Sequence, residues 1–458
     1  MIFNSWLFAV FFIIVFAVFL VLGRTRFGTL WLLCASCVFY GWLNPLYVPL
    51  IGYTIIVNYF AALKLEHSAA KKRWLIAAVV SNLVVLGFFK YAGFITDNLN
   101  VILHVVDPAI TLPAPRILLP IGLSFFTFIS TGYIIDVYRG TVTSERDFLR
   151  FASFVSFFPY LLAGPIERAH TMLPQLKASP ELSLIHVSEG LSLFVVGMFK
   201  KIVLADFLAL YVNRIYDDPS QYSGLMLLAA TYAFAWQIYF DFSGYTDMAR
   251  GCARILGFRL MMNFNNPYLA TGLGDFWKRW HISLSSWFRD YLYIPLGGNR
   301  HGRIATYRNM IITMLVAGLW HGAAWNFIIW GGVHALGRTV TRELEATRYY
   351  NERVPRIFKQ MLTFHIVCFG WIFFRAETFG KAAAVLKGIF SFSVSDPRVP
   401  LAAIMFCAAV WVYQFVFESR YRNILELSFV RVGLMLAMLL YMVFCGTSGY
   451  EKFIYFQF

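Results

Sequence analysis

The stretch WLFAVFFIIVFAVFLVL, residues 6–22, is apolar at every position. Polar residues do not alternate with apolar ones in it, so the pattern favours a helix over a strand of a membrane barrel. A helix needs about 20 predominantly apolar residues to cross a bilayer. Similar runs recur along the chain at Trp74–Phe89, Leu191–Tyr211 and Val432–Cys445. We therefore expect an integral membrane protein built from helices.

The composition indicates the same class of protein. Of the 458 residues, 59% are hydrophobic and only 14% are charged, whereas a soluble domain has about 25% charged residues. We predict an all-α, polytopic transmembrane bundle of about 11 spans with added re-entrant or interfacial helices. We expect residues 1–458 to form a single integral membrane domain. The remaining predicted spans lie near residues 46–63, 117–138, 148–163, 225–242, 310–333, 357–374 and 399–417, with a shorter run at Leu30–Trp42.

The formal net charge is +15, and the basic residues lie mostly in short connections between apolar runs. Positive loops stay in the cytoplasm, so we interpret this charge as an orientation signal and expect no nucleic-acid partner. Arg24 and Arg26 follow the first run directly, which predicts a periplasmic N-terminus. No A-x-A-like site follows that run, so we expect it to remain as an anchor. Cys34 and Cys37 have a C-x-x-C spacing but lie in an apolar run, which favours small core residues over a zinc or redox site.

Residues 241–334 differ from the rest because their polar side chains stand among aromatic ones. Polar groups at membrane depth are costly and usually functional, so we expect the catalytic core in this segment. In YFDFSGYTDMA, residues 239–249, Asp241 and Asp247 lie at the predicted end of an apolar span. Asp247 is compatible with a helix end at which it faces water or Arg250, whereas Asp241 lies deeper. Neither carboxylate has a serine–histidine pair beside it, so no hydrolase triad is indicated.

The stretch DFWKRWHISLSSWFRDYLYIPLGGNR, residues 275–300, mixes tryptophans with charges of both signs and ends in a turn cluster. It is too charged to span a bilayer. One interpretation is an amphipathic helix in the membrane interface. The other is a re-entrant element that lines a protein-walled cavity, with His281 pointing inward. In that case Lys278, Arg279 and Arg289 would face a phosphorylated donor.

His321 stands in the middle of AGLWHGAAW, residues 317–325, and midway along the predicted span Met310–Gly332. A buried neutral imidazole can accept a proton near pH 7. It can thereby activate a hydroxyl against an acyl thioester, while Trp320, Asn326 or backbone donors stabilise the oxyanion. The alternative is a histidine that only makes a hydrogen bond between helices.

His334 is a further histidine on the C-terminal side of the same predicted span. On an ideal helix it falls on a different face from His321, because successive residues are about 100° apart. We therefore expect the two histidines to form separate sites, with His334 near the surface.

Several of these stretches, taken together, resemble the membrane-bound O-acyltransferase (MBOAT) family. The branch that they resemble most is that of the bacterial alginate O-acetylation membrane protein. The similar stretches follow one another in the same order as in the family, and they are LLPIGLSFFTFISTGYIIDVYRG (118–140), FPYLLAGPIER (158–168), YFDFSGYTDMA (239–249), the stretch 275–300, NMIITMLVAGLWHGAAWNFIIWGGVHAL (309–336) and GWIFFRAE (370–377).

The resemblance implies a helical bundle around a central tunnel, with the essential histidine where donor and acceptor meet. The family's W-H-G histidine falls on His321, and the histidine of its R-W-H-x-S motif falls on His281. The resemblance also implies a cytoplasmic thioester donor, acetyl-CoA, used as a substrate and not as a bound cofactor, and no metal site. The acyl group would pass to the outer face of a bacterial inner membrane. The implied partner is a periplasmic serine-dependent acetyltransferase or the polysaccharide acceptor itself.

We therefore predict a membrane O-acetyltransferase subunit for an alginate- or cellulose-like exopolysaccharide. His321 is the general base or a transient acyl acceptor, and His281 assists or positions. The residues predicted to bind substrate or donor are Lys278, Arg279, Arg289, Trp320, Asn326 and Asp241. The alternatives are a peptidoglycan O-acetyltransferase subunit, a D-alanyl-transfer member of the family, and a secondary transporter. A transporter would show inverted repeats, and we detect none in the sequence.

Overall fold

The computed structural model describes residues 1–23, 25–115, 117–178, 180, 182–393, 401–419, 423, 427–445 and 453–454. Through these residues the regular secondary structure is helical, which confirms the all-α class. The chain divides into two compact units. Unit 1 comprises Met1–Phe194 and Met248–Met261, and unit 2 comprises Val195–Asp247 and Met262–Phe458. The single integral domain expected from the sequence stays a prediction.

Nine helices precede the middle of the chain in the described residues. They are α1 Trp6–Leu22, α2 Arg26–Gly41, α3 Tyr47–His67, α4 Lys71–Val106, α5 Leu123–Arg139, α6 Phe148–Ser156, α7 Phe158–Leu161, α8 Ala169–Ala178 and α9 Leu184–Phe199. The first of these matches the apolar run 6–22 residue for residue. It begins where the Ser5 hydroxyl accepts a hydrogen bond from the amide of Phe8, as an N-cap residue does.

The remaining helices include several short or irregular elements. A π-helical segment, Lys200–Ala205, follows α9 directly, and 3₁₀ turns lie at Pro219–Gln221 and Pro267–Leu269. A second π-helical segment is Arg289–Tyr293. The α-helices are α10 Asp206–Asp217, α11 Gly224–Ile255, α12 Leu273–Arg279, α13 Ile282–Phe288, α14 Gly302–His321, α15 Trp325–Glu345, α16 Arg348–Arg353, α17 Arg356–Arg375, α18 Phe379–Phe390, α19 Leu401–Glu418 and α20 Ser428–Cys445.

Four helices in the described part of the chain are long and apolar enough to cross a membrane, namely α3, α4, α11 and α17. Shorter apolar helices include Trp6–Leu22, Phe27–Gly41 and Phe429–Phe444. These findings support the membrane character of the protein. The predicted count of about 11 spans and the periplasmic N-terminus stay predictions, and Arg24 lies outside the described residues.

Several predicted spans have other bounds in the structure. The run 148–163 breaks at Phe157 into α6 and α7, whose 9 and 4 residues are too short to cross a bilayer. The span 225–242 does not end at Asp241 and Asp247, because α11 continues to Ile255. The span 310–333 divides into α14 and α15. Continuous hydropathy does not reveal such breaks, since the residues at the break are themselves apolar or small.

A polar cluster lies inside unit 1, where α3, α4 and α5 pack together. The side-chain amides of Asn58 and Asn82 exchange two hydrogen bonds of 2.9 and 3.0 Å, and Asn82 also donates to the Thr131 hydroxyl at 3.2 Å. All three residues are buried. Polar contacts of this kind fix how apolar helices associate, because hydrophobic burial alone does not distinguish one apolar face from another.

Candidate active site

His321 is the last residue of α14 and does not lie in the middle of a continuous helix. The chain leaves α14 at Gly322, whose backbone is extended with φ −159° and ψ 152°, and enters α15 at Trp325. The predicted placement of His321 midway along one span is therefore wrong. The histidine lies at the end of a helix, where no further helical turn follows it.

The glycines around this break allow α14 and α15 to pack closely. A β-carbon on Gly318 would overlap the carbonyl oxygen of Phe327 in α15, and one on Gly331 would overlap the carbonyl oxygen of Met314 in α14. Small residues at such crossings let helix backbones approach each other. The short connection and the close crossing together hold His321 against α15.

Three aromatic rings lie against the imidazole of His321. The ring centroids of Trp320, Trp330 and Phe374 are 5.0, 4.9 and 5.3 Å from the imidazole centroid, with interplanar angles between 74° and 81°. The residue is only 5% exposed. This surrounding excludes bulk water from the imidazole.

His281 lies in the break between α12 and α13, with φ +41° in the left-handed region. A non-glycine residue seldom adopts this conformation, and such backbone strain clusters at functional sites. Asn263 holds the turn, because its carbonyl accepts from Ile282 N at 2.9 Å and its side-chain oxygen accepts from Ser283 N at 3.2 Å. The two helices have seven residues each. The stretch 275–300 is thus interrupted at His281, as a re-entrant element would be. It does not form one continuous interfacial helix.

The fold brings His281 and His321 to the same tryptophan. The imidazole centroid of His281 is 6.2 Å from the ring of Trp320, and it lies 4.6 Å from the ring of Phe242. His281 is fully buried, and this burial lowers its pKa to about 3. The imidazole is therefore neutral at physiological pH, so it can orient a neighbouring group but does not supply a positive charge.

His334 is fully buried, so the expectation of a surface position is wrong. Its ring lies 4.7 Å from Trp330 and 5.0 Å from Trp277, measured between centroids. Trp330 contacts His321 as well, so one indole links the two histidines. The helical-wheel argument failed because α14 ends between the two histidines, and the two residues lie on different helices.

Asp241 belongs to a buried ion cluster in unit 2. The ammonium of Lys201 lies 2.7 Å from Asp241 Oδ1 and 2.7 Å from Asp206 Oδ1. The backbone amide of Ile454 donates to the other oxygen of Asp241 at 2.8 Å. The exposed fractions of the three charged side chains are 7% or less. Lys201 lies in the first π-helical segment, and π-bulges in helices frequently mark functional sites.

A cavity of about 490 Å³ opens beside this cluster within unit 2. Phe374 lines the cavity and also contacts the imidazole of His321, so the cavity lies next to the histidine. Its charged lining residues are Lys201, Asp206, Asp217, Asp241, Arg375 and Glu377. Its amide-bearing and aromatic lining residues are Asn213, Gln237, Asn326, Phe234, Phe327 and Phe374.

The six residues predicted to bind donor or substrate fall in different places. Asp241 and Asn326 line the cavity, and Trp320 contacts both histidines. The three basic residues do not line it: Lys278 is exposed, Arg279 pairs with Asp275 and Glu418, and Arg289 pairs with Asp290. Their predicted role at the donor stays a prediction. Asp247 does not face water at a helix end, since it lies within α11 with Lys200 Nζ at 2.7 Å.

Sequence reasoning missed Lys201, Asp206, Gln237, Trp330 and Phe374. Lys201 lies within the predicted span Leu191–Tyr211, and a lysine within an apolar run is itself an unusual signal. Its carboxylate partner Asp206 follows five residues later. No signal marks Gln237, Trp330 or Phe374, because aromatic and amide residues are common along the whole chain.

Comparison with known proteins places the chain among membrane acyltransferases. Residues 141–379 match the MBOAT, membrane-bound O-acyltransferase family. The chain is 42% identical over 398 residues to a probable alginate O-acetylase AlgI of Azotobacter vinelandii, an alignment that covers 86% of this chain and 78% of that protein.

Two further relatives have other names. The peptidoglycan O-acetyltransferase of Helicobacter pylori is 39% identical over 393 residues, with 79% of this chain and 74% of that protein covered. The teichoic acid D-alanyltransferase of Bacillus subtilis is 27% identical over 312 residues, with 64% of this chain and 79% of that protein covered.

Proposed function

The chain belongs to the membrane-bound O-acyltransferase family, and we propose that it is the membrane subunit of a polysaccharide O-acetylation system. Family membership makes it an O-acyltransferase. The names of the alginate and peptidoglycan relatives support acetyl as the transferred group. In this proposal the subunit takes the acetyl group from a cytoplasmic thioester and moves it across the bacterial inner membrane through a tunnel in the helical bundle.

One observation carries the proposal: His321 is buried among aromatic rings, and one of those rings, Phe374, also lines a polar cavity. A histidine that only joins two helices needs no adjoining cavity. A general base needs access for the hydroxyl whose proton it takes, together with exclusion of bulk water. The aromatic surrounding excludes bulk water, and the adjoining cavity, one ring away from the imidazole, supports an approach for the hydroxyl.

The proposed reaction is a direct acyl transfer. A ring nitrogen of His321 takes the proton of the acceptor hydroxyl while that oxygen attacks the thioester carbonyl carbon. The tetrahedral intermediate collapses as the C–S bond breaks, and the imidazolium returns a proton to the leaving thiolate. The products are an ester and a free thiol.

His281 is proposed as a positioning residue. Its neutral ring packs on Trp320, which in turn packs on His321, so it maintains the orientation of that indole. Acetyl-CoA is the proposed donor substrate, with Lys278, Arg279 and Arg289 near its phosphates. A periplasmic acetyltransferase with a serine nucleophile, or the polysaccharide acceptor itself, is the proposed partner.

The His321→Ala variant tests this proposal. We expect this variant to insert into the membrane as the wild type does but to leave the polymer unacetylated in cells. The purified variant should no longer release thiol from acetyl-CoA. His67→Ala is the matched control, because the side chain of His67 is 71% exposed. Wild-type acetylation by the His321→Ala variant would contradict the catalytic role.

The runner-up is the acetylation of peptidoglycan, which the Helicobacter pylori relative favours. Both functions use the same chemistry, so a deletion strain distinguishes them. The acetate content of each cell-envelope polymer is measured after mild base release, and the polymer that loses acetate identifies the acceptor. A transporter would instead produce substrate flux in reconstituted vesicles without acyl transfer.

A further inference from the structure

We propose that three cations at the turn between α3 and α4 bind the headgroups of anionic phospholipids. The three are Lys64, in the last turn of α3, and Lys72 and Arg73, in the first turn of α4. Only residues 68–70 connect the two helices, so the cations lie at the same end of the helix pair. We call these three residues the basic turn. They belong to unit 1, and the proposal does not depend on the proposed acyl transfer.

The charges at this turn provide the first argument. Glu66 is the one acidic residue of the sequence between positions 47 and 96. Its carboxylate accepts from the Ser144 hydroxyl at 2.7 Å and lies 3.8 Å from the guanidinium of Arg146. The side chains of the basic turn are exposed and make no ion pair with any residue that the structure describes. A group of cations without acidic partners attracts an anionic ligand.

The position of these cations relative to apolar surface provides the second argument. On α4, four apolar residues that are at least 50% exposed form one stripe: Ile76, Val80, Leu83 and Val84. Because α4 is long and apolar enough to cross a membrane, this stripe faces lipid. On an ideal helix Lys72 and Arg73 lie within about 70° of the centre of the stripe, whereas Lys71 lies about 165° from it. The stripe on α4 therefore leads directly to two cations of the basic turn.

The exposed surface of α3 has the same arrangement. Tyr53, Ile56 and Phe60 are exposed and form a second stripe. Lys64 continues this stripe one turn further, within about 50° of its centre. The Tyr53 hydroxyl lies 2.9 Å from Ser81 Oγ, so the stripe on α3 borders α4. Two neighbouring apolar stripes thus end at one group of cations.

The ligand that fits both features carries an anionic headgroup and acyl chains. The cations bind the phosphate of the headgroup, and the stripes that lead to them contact the chains. Trp74 follows Arg73 directly and is partly exposed, and tryptophan is enriched at the level of lipid headgroups. A soluble phosphate compound matches only the cations. An anionic phospholipid matches the cations and the stripes, which assigns the basic turn to this class of ligand.

Native mass spectrometry of the full-length protein in detergent micelles tests the proposal, because it counts bound lipid molecules directly. The probes are phosphatidylglycerol and phosphatidylcholine with the same acyl chains, so only the net charge and structure of the headgroup differ. We expect phosphatidylglycerol to bind the wild type about tenfold or more tightly, since each Lys or Arg near an anionic surface contributes about fivefold in affinity. The triple variant Lys64→Gln, Lys72→Gln, Arg73→Gln should lose this preference.

Two controls separate the position of a cation from its charge. Lys71→Gln changes the same turn on the opposite helix face, so it should weaken phosphatidylglycerol binding much less than Lys72→Gln does. The control triple variant is Lys177→Gln, Arg353→Gln, Lys387→Gln, which removes the same charge from exposed positions in α8, α16 and α18. It should keep the preference for phosphatidylglycerol. Because every changed side chain is exposed and glutamine is a good helix former, the variants keep their fold.

Equal binding of the two lipids to the wild type, or an unchanged preference in the triple variant of the basic turn, overturns the proposal. An equal loss of preference in the control triple variant also overturns it, because net charge and not this surface would then bind the lipid. Glycerophosphoglycerol, which is the headgroup without acyl chains, should not displace phosphatidylglycerol at equal concentration. Full displacement would assign the cations to a soluble phosphate compound. Wild-type protein that binds a poly-glutamate peptide at this turn and no phosphatidylglycerol would assign them to an acidic protein.

Discussion

Replacing Lys201 by methionine removes a cation that two buried carboxylates share. Its ammonium is 2.7 Å from Asp206 and 2.7 Å from Asp241. At an effective dielectric constant of about 20, each contact is worth about 6 kcal/mol of Coulomb attraction, much of which is offset by desolvation. Removing one partner of a buried pair costs about 3–5 kcal/mol, since the remaining charge stays buried. We expect Lys201→Met to lower the free energy of unfolding by that amount.

The assay is denaturant titration of the purified protein in micelles, followed by tryptophan fluorescence. Lys200→Met is the matched control, since it changes the neighbouring lysine, whose partner Asp247 lies 2.7 Å away but whose side chain is 23% exposed. A pair that reaches solvent contributes about 1 kcal/mol or less. The control variant should therefore lose much less stability than Lys201→Met.

A double variant tests the physical reason. Asp206→Asn added to Lys201→Met removes one of the two stranded carboxylates, so the combined loss should be smaller than the sum of the single losses by about 1–3 kcal/mol. Strictly additive losses would refute the interpretation of the cluster as one electrostatic unit. So would a Lys201→Met variant with the stability of the wild type.

Two further predictions concern the helix crossing and the buried histidine. Gly331→Ala should destabilise the protein by about 1–3 kcal/mol, because the added carbon overlaps the Met314 carbonyl, whereas Gly332→Ala should be nearly neutral since its nearest contact is 4.0 Å away. Unfolded histidine titrates near pH 6.5 and folded His281 near pH 3, so the unfolded state holds more protons between these values. Stability should fall as the pH drops from 6.5 towards 3, by up to about 1.4 kcal/mol per pH unit from this group, and His281→Gln should reduce that slope. Denaturant titrations at pH 7 and pH 5 measure both effects.

A specific result would contradict each of these two predictions. Equal stability of the Gly331→Ala and Gly332→Ala variants would mean that α14 and α15 do not approach as closely as the structure shows. An identical pH slope for wild type and His281→Gln would mean that the imidazole is not held neutral by burial.

Much of the fold class could be predicted from the sequence because hydropathy and composition are local properties. The run 6–22 became α1 with the same bounds, and the few charged residues already excluded a soluble domain. Motif order identified the family, and the W-H-G and R-W-H-x-S patterns selected His321 and His281. These conclusions needed no knowledge of which segments touch.

The tertiary structure alone decided where the helices break and which distant side chains meet. The break after His321 depends on packing against α15, and the left-handed backbone of His281 depends on the hydrogen bonds that Asn263 accepts from Ile282 and Ser283. The pairing of Lys201 with Asp241 and the contact of Phe374 with His321 join residues far apart in sequence. Hydropathy describes how each segment partitions from water, but an aromatic surrounding, a shared lysine or a cavity exists only when separate segments occupy the same space.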